Sequence, residues 1–154
     1  DMNRILLVIT AVLLSSVAIA AQKAPAYDAE LAKRLGGNDN GMRMYILCIL
    51  KTGPHDADFK GKERDDIFAG HMANIVKMAD AGQLAVAGPF GKNDKSWRGL
   101  YIFTADKVED AEKIVISDPA VKAGVFVYDL VPWFGTAAMM IVNETNKKIM
   151  KPAQ

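Results

Sequence analysis

The chain has 154 residues, enough for one domain, and 19 basic against 18 acidic side chains leave a net charge of +1. That balance gives no electrostatic footprint for nucleic acid, and the one paired-lysine step, Lys147-Lys148, sits in a peripheral tail. The single cysteine, Cys48, cannot make an internal disulfide, and its apolar neighbours read as the surroundings of a small buried hydrophobe.

Met2-Asn3-Arg4, the apolar run 5–17 and Ala18-Ile19-Ala20 have the layout of a secretory signal peptide: charged start, apolar core, small-x-small cleavage site. The run is short of the ~20 apolar residues a spanning helix needs, so an uncleaved anchor is the less favoured alternative. Removal of residues 1–21 predicts an exported protein, periplasmic or secreted, with no stable membrane association afterwards. Residues 22–41 form a polar leader with a short helix at 28–35, D-A-E-L-A-K-R-L, with Asp28 as N-cap and Gly36-Gly37 as the stop.

The main domain is expected over 42–134. Residues 42–50, M-R-M-Y-I-L-C-I-L, are too apolar to alternate and predict a strand buried on both faces. Thr52-Gly53-Pro54-His55-Asp56 breaks it, and a helical period follows over 64–81. Ile67, Phe68, Met72, Ile75, Met78 and Ala79 share one side, with Asp66, Asn74, Lys77 and Asp80 on the other. A strand at 84–87 ends in Gly88-Pro89, and the loop 91–98 leads to a strand at 100–104. A second helix, 108–116, closes at Ser117-Asp118-Pro119, and a short turn leads to the last strand, 125–131. The tail, 135–154, leaves strand, helix and loose arm open.

The order strand, helix, strand, strand, helix, strand is the ferredoxin-like α+β arrangement, an antiparallel sheet with two helices on one face. Strands apolar on both faces, as at Tyr45-Ile46-Leu47-Cys48 and Val125-Phe126-Val127, leave a face that two helices cannot cover. A second copy packed sheet to sheet, as an isologous homodimer, is the expected cover. The N-terminal helix and the tail are the alternative.

His71, one of two histidines, falls inside the apolar stripe between Ile67 and Ile75. Taken alone, such a residue is more often a hydrogen-bonded core histidine than a working one. In this fold, however, the first helix starts and the second ends at the same sheet edge. His71, in the early turns of the first, can therefore meet Asp118, just past the second. An aspartate there would fix the tautomer and orient a general base. Asp118-Pro119 is also a good N-cap and first-turn pair, and one carboxylate can serve both purposes.

Gly88, Pro89, Phe90, Arg98 and Trp133 are candidate substrate-binding residues: glycine permits close approach, Arg98 could hold an anion, and Trp97 and Trp133 could wall a pocket or cap the core; a plain hairpin loop with a solvated arginine is the favoured alternative from the sequence alone. His55 lies in a polar loop and is expected to be exposed. Two unclustered histidines make no metal site, and neither a phosphate loop nor a G-x-S-x-G elbow is present, so no metal and no cofactor are expected.

From about Met42 to Trp133 the chain resembles the YCII-related (YciI-like) proteins, through G-H-M-A-N-I, A-G-Q-L-A-V-A-G-P-F, R-G-L-Y-I-F, S-D-P-A-V-K-A-G and V-P-W. The preceding L-A-K-R-L-G-G-N-D-N-G-M-R-M-Y and K-T-G-P look like an exported branch of that family. The resemblance implies a dimeric α+β-barrel fold and a pocket holding a histidine–aspartate pair at the positions of His71 and Asp118. A characterised relative is similar to a dehydrochlorinase acting on a chlorinated hydroxyhydroquinone, with the histidine as base. Nothing in this chain specifies an aromatic or a halide, so that substrate is not carried over. Two functions follow: a small cofactor-independent enzyme of lyase or hydrolase-like type, with His71 as base on a small molecule, or a non-catalytic metabolite-binding dimer. A structural dimer without a ligand is the weakest reading.

Overall fold

A computed structural model describes residues 25–151, so the signal-peptide expectation for residues 1–21 lies outside the described residues. Helix α1 (Ala29–Leu35) is capped by the Asp28 carboxylate, which accepts from Leu31 N at 2.9 Å, and ends at Gly36 in the left-handed conformation. Strand β1 (Met42–Thr52) is central. It pairs antiparallel with β3 (Trp97–Phe103) on one side and β4 (Phe126–Thr136) on the other, and β2 (Leu84–Pro89) lies outside β3. The order β2-β3-β1-β4 is the ferredoxin-like α+β sheet.

Helices α2 (Gly61–Asp80) and α3 (Val108–Val115), with the one-turn α4 (Pro119–Lys122), cover one face. Ile46, Cys48 and Leu50 of β1 point to that face and are buried against Met78, Ala111, Val115 and Ala120. Each large apolar side chain buried there contributes about 1.5–3 kcal/mol, which holds the helices to the sheet. Helix α2 begins one turn before its expected start, because Lys60-Gly61-Lys62-Glu63 offers no apolar residue to mark the face. His71 is therefore in the middle of the helix rather than in its early turns. Strand β4 runs on to Thr136 through Pro132, which an edge strand tolerates.

The other face is covered in part by the chain itself. After β4 come a 3-10 helix, Ala137–Ile141, and α5 (Val142–Ile149), so the tail is helical beyond its strand portion. Met139 and Met140 pack on Tyr45, Ala85 and Ile102, and Asn143 Nδ2 donates to Leu84 O at 2.6 Å. Val127, Val131 and Trp133 of β4 stay exposed, and Leu47 and Ile49 of β1 are only half-buried, not buried as the sequence suggests. Among the described residues, no helix is long and apolar enough to cross a membrane.

Candidate functional site

The His71 side chain leaves the middle of α2 toward the sheet and is 8% exposed, while Asp118, between α3 and α4, is fully buried. Gly70 makes the meeting possible. A Cβ at that position would stand 3.1 Å from Pro119 Cγ, so the missing side chain lets α4 lie against α2. His71 Nδ1 is then 3.0 and 2.9 Å from the two Asp118 oxygens. Asp118 also caps α4, accepting from Ala120 N at 2.9 Å, so one carboxylate both pairs with His71 and caps a helix.

Two further donors converge on Asp118. Tyr101 OH lies 3.2 Å from Oδ2 and Asn74 Nδ2 lies 3.3 Å from it. The Tyr101 hydroxyl is also 3.3 and 3.5 Å from the two His71 ring nitrogens, but the rings are stacked at 25°. A hydroxyl nearly equidistant from both nitrogens over a stacked ring lies along neither lone pair, so its bond is to Asp118. Burial opposes ionisation of Asp118, and the hydrogen bond and charge of His71, with the Ala120 and Asn74 donors, outweigh it. The carboxyl is held below its ordinary value. Burial and the Asp118 charge push the Tyr101 phenol far up, which keeps it a proton donor. Burial first, then the charges of Asp118 and Asp129, pushes the Cys48 thiol up to about 12, so it is no nucleophile.

The hydrogen-bond network assigns the tautomer: Nδ1–H donates to Asp118, and Nε2 carries the free lone pair. His71 borders a cavity of about 470 Å³, walled by apolar residues including Leu50, Phe68, Ile75, Phe90 and Phe126. Gly88, Pro89, Phe90 and Arg98 all line it. Arg98 reaches it through a bulge: the ladder steps from Leu50↔Gly99 to Lys51↔Trp97, leaving Arg98 as the extra residue turned to the cavity side.

Trp133 does not line the cavity. The register pairs it with Tyr45, so both point away from the helices, and its ring folds over Gly135, 6.0 Å from the Tyr45 ring. Trp97 packs on Phe90 beside the cavity, with ring centroids 5.3 Å apart. Met72, expected in the core stripe, is 57% exposed at the cavity mouth. His55 is exposed as expected and pairs with Asp58 at 2.8 Å. Among the described residues, no cluster of histidine, cysteine and carboxylate side chains suits a metal ion.

Tyr101 and Asn74 are the site residues that sequence reasoning misses. Tyr101 shares the helix-facing parity of Phe103, and a tyrosine buried there needs a partner for its hydroxyl, which was the available signal. The helical period places Asn74 on the polar side of α2. It stands three residues after His71, close enough in angle to reach the same carboxylate.

The YCII-related domain family matches residues 44–134. No curated protein matches the chain. Among solved structures, it is similar to 5-chloro-2-hydroxyhydroquinone dehydrochlorinase (TftG) from Burkholderia phenoliruptrix AC1100, in complex with 2,5-dihydroxybenzoquinone. That likeness has 21% sequence identity and a TM-score of 0.40, over 59% of this chain and 91% of that one.

Proposed function

The chain belongs to the YCII-related domain family, and from that premise we propose that it is a cofactor-independent general-base enzyme of lyase type acting on a small molecule. The observation that carries the reading is the orientation of His71. Asp118 occupies Nδ1, and Nε2 is left free on a residue that borders the cavity. Nε2 takes a proton from an acidic C–H or O–H, and Asp118 orients the ring and stabilises the imidazolium that forms. Tyr101 and Asn74 hold Asp118, and Tyr101 also lines the cavity. The apolar walls exclude water and strengthen these charge interactions. Gly88, Pro89 and Phe90 shape the rim, and Arg98 holds negative charge on the ligand.

The test is hydrogen exchange. A panel of small carbon acids is incubated with the protein in D2O and followed by proton NMR. The wild type is expected to exchange the acidic hydrogen of at least one member, and His71→Gln is expected not to. A ligand that binds both proteins without exchange in either would make the chain a binding module instead.

A homodimer belongs to the same proposal, supported by the exposed row Val127, Val131 and Trp133 on a sheet face the chain's own tail covers only in part. Sedimentation velocity is expected to give a dimer that Val131→Asp converts to monomer; a monomeric wild type counts against it. Export, to the periplasm or beyond, is supported by the signal-peptide layout of residues 1–21. The mature chain from that compartment should begin near residue 22 by intact mass, whereas a full-length chain in the membrane fraction would refute cleavage.

A further inference from the structure

Among the described residues lining the cavity, Arg98 alone carries a permanent charge. Its nearest acid is Asp56, on the loop after β1, with Nη1 3.5 Å from Oδ2. That separation is too long for a good hydrogen bond. Asp56 is already secured by another residue: Arg64 Nη2 donates to Oδ1 at 2.7 Å and Arg64 Nη1 to the Asp56 backbone carbonyl at 2.6 Å. Asp56 is thus a fixed countercharge that holds Arg98 loosely and leaves most of its five donors unspent.

Arg98 and His71 flank the same ring. The guanidinium carbon lies 5.7 Å from the Phe126 centroid, and the His71 ring meets Phe126 edge-on at 5.3 Å. The cation and the base therefore both lie against one apolar ring of the cavity wall.

We infer that the cavity selects monoanionic molecules with a flat apolar body, the anionic group on Arg98 and the acidic hydrogen at the His71 end, and that Asp56 sets this selectivity by competing for Arg98. The inference rests on the cavity being the substrate site and names the class of molecule it takes. A carboxylate displaces Asp56 because it pairs with the guanidinium fork at two points, where Asp56 reaches it at one long distance. A neutral isostere has nothing to offer in exchange. With the cavity empty, Asp56 keeps the mouth close to neutral, so apolar walls and one balanced cation replace a broadly positive funnel.

The probes are 2-naphthoate and its neutral isostere 2-naphthamide, which share one body and differ in one charge. Binding is measured by calorimetry, with the His71 ring resonances confirming occupancy of the cavity. The wild type is expected to prefer naphthoate. Arg98→Gln should remove about tenfold of that preference, the scale of a partly exposed charge-assisted contact. Arg98→Lys, which keeps the charge without the fork, should fall between, and serves if Arg98→Gln fails to fold. Asp56→Asn retains an acceptor for Arg64 and should strengthen naphthoate binding about threefold, leaving naphthamide unchanged. Equal affinities in the wild type, no naphthoate binding, a preference surviving Arg98→Gln, or weaker naphthoate binding in Asp56→Asn would each overturn the inference. His71 is intact in every one of these proteins, so their failure leaves the general-base reading to its own exchange test.

Discussion

Asp118→Ala is expected to lower the unfolding free energy by roughly 3–5 kcal/mol, the scale of removing one partner from a buried charged network. The carboxylate is fully buried and accepts from His71, Tyr101, Asn74 and Ala120. Alanine leaves all four donors facing a small void that offers no acceptor. A domain of this size has only about 5–15 kcal/mol in total, so the variant should melt many degrees earlier or fail to accumulate. Asp118→Asn keeps one acceptor oxygen for the α4 cap and should cost less. The effect is tied to pH. The native carboxyl lies below its ordinary value, so its contribution is fully present above the unfolded-state value of about 3.9 and is lost as the pH falls through the lower native one. Urea unfolding at neutral pH should separate wild type from Asp118→Asn, and the gap should narrow on acidification. A gap that widens in acid would show that the carboxylate is not held in its ionised form.

His71→Gln is expected to lower turnover of an exchanging substrate by about 10²–10⁴-fold, the usual yield of a positioned general base. Glutamine can still donate to Asp118, so the fold and the ligand affinity should change little. A core histidine predicts the reverse pattern, a loss of stability with no effect on exchange. Asp118→Asn sharpens the distinction. An amide at 118 can present its N–H to Nδ1, which moves the ring proton to Nε2 and puts the wrong tautomer at the cavity. Its turnover should therefore fall steeply while it remains folded. The double variant should be scarcely slower than His71→Gln, because the two side chains act as one unit. Residual turnover within a few-fold of wild type in His71→Gln would remove this side chain from the chemistry.

Local physics made much of the architecture legible. The caps at Asp28 and Asp118 and the glycine stop at Gly36 depend on residues within a turn or two of each other, and the structure keeps them; it keeps the helix of 64–81 too, but with Met72 of the stripe exposed and Asn74 turned to Asp118. Element order brings Asp118 beside α2, but the pair meets at the middle of α2, where Gly70 lets α4 approach, rather than at a shared helix end. Gly70 beside His71, and Pro119 beside Asp118, were in plain view as the small and rigid surfaces that let α2 and α4 close up.

Strand parity is where sequence reasoning stops. Arg98 and Trp133 look equally suited to a pocket, yet one lines the cavity and the other lies across the sheet. A bulge opposite Leu50 and Lys51 re-aims Arg98, whereas the unbroken β1–β4 ladder commits Trp133 to the side of Tyr45. Side chains alternate with a period of two, so one extra residue reverses a face, and the pairing of distant strands decides where that residue falls. The same holds for Tyr101, Asn74 and Asp56. By itself the sequence determined the elements, their order and the two ends of the histidine–aspartate pair, because these follow from short-range periodicity, capping and topology. The donors that hold the pair, the arginine that faces it and the aspartate that restrains that arginine were decided only by tertiary packing, since each is an ångström-scale contact between segments far apart in the chain.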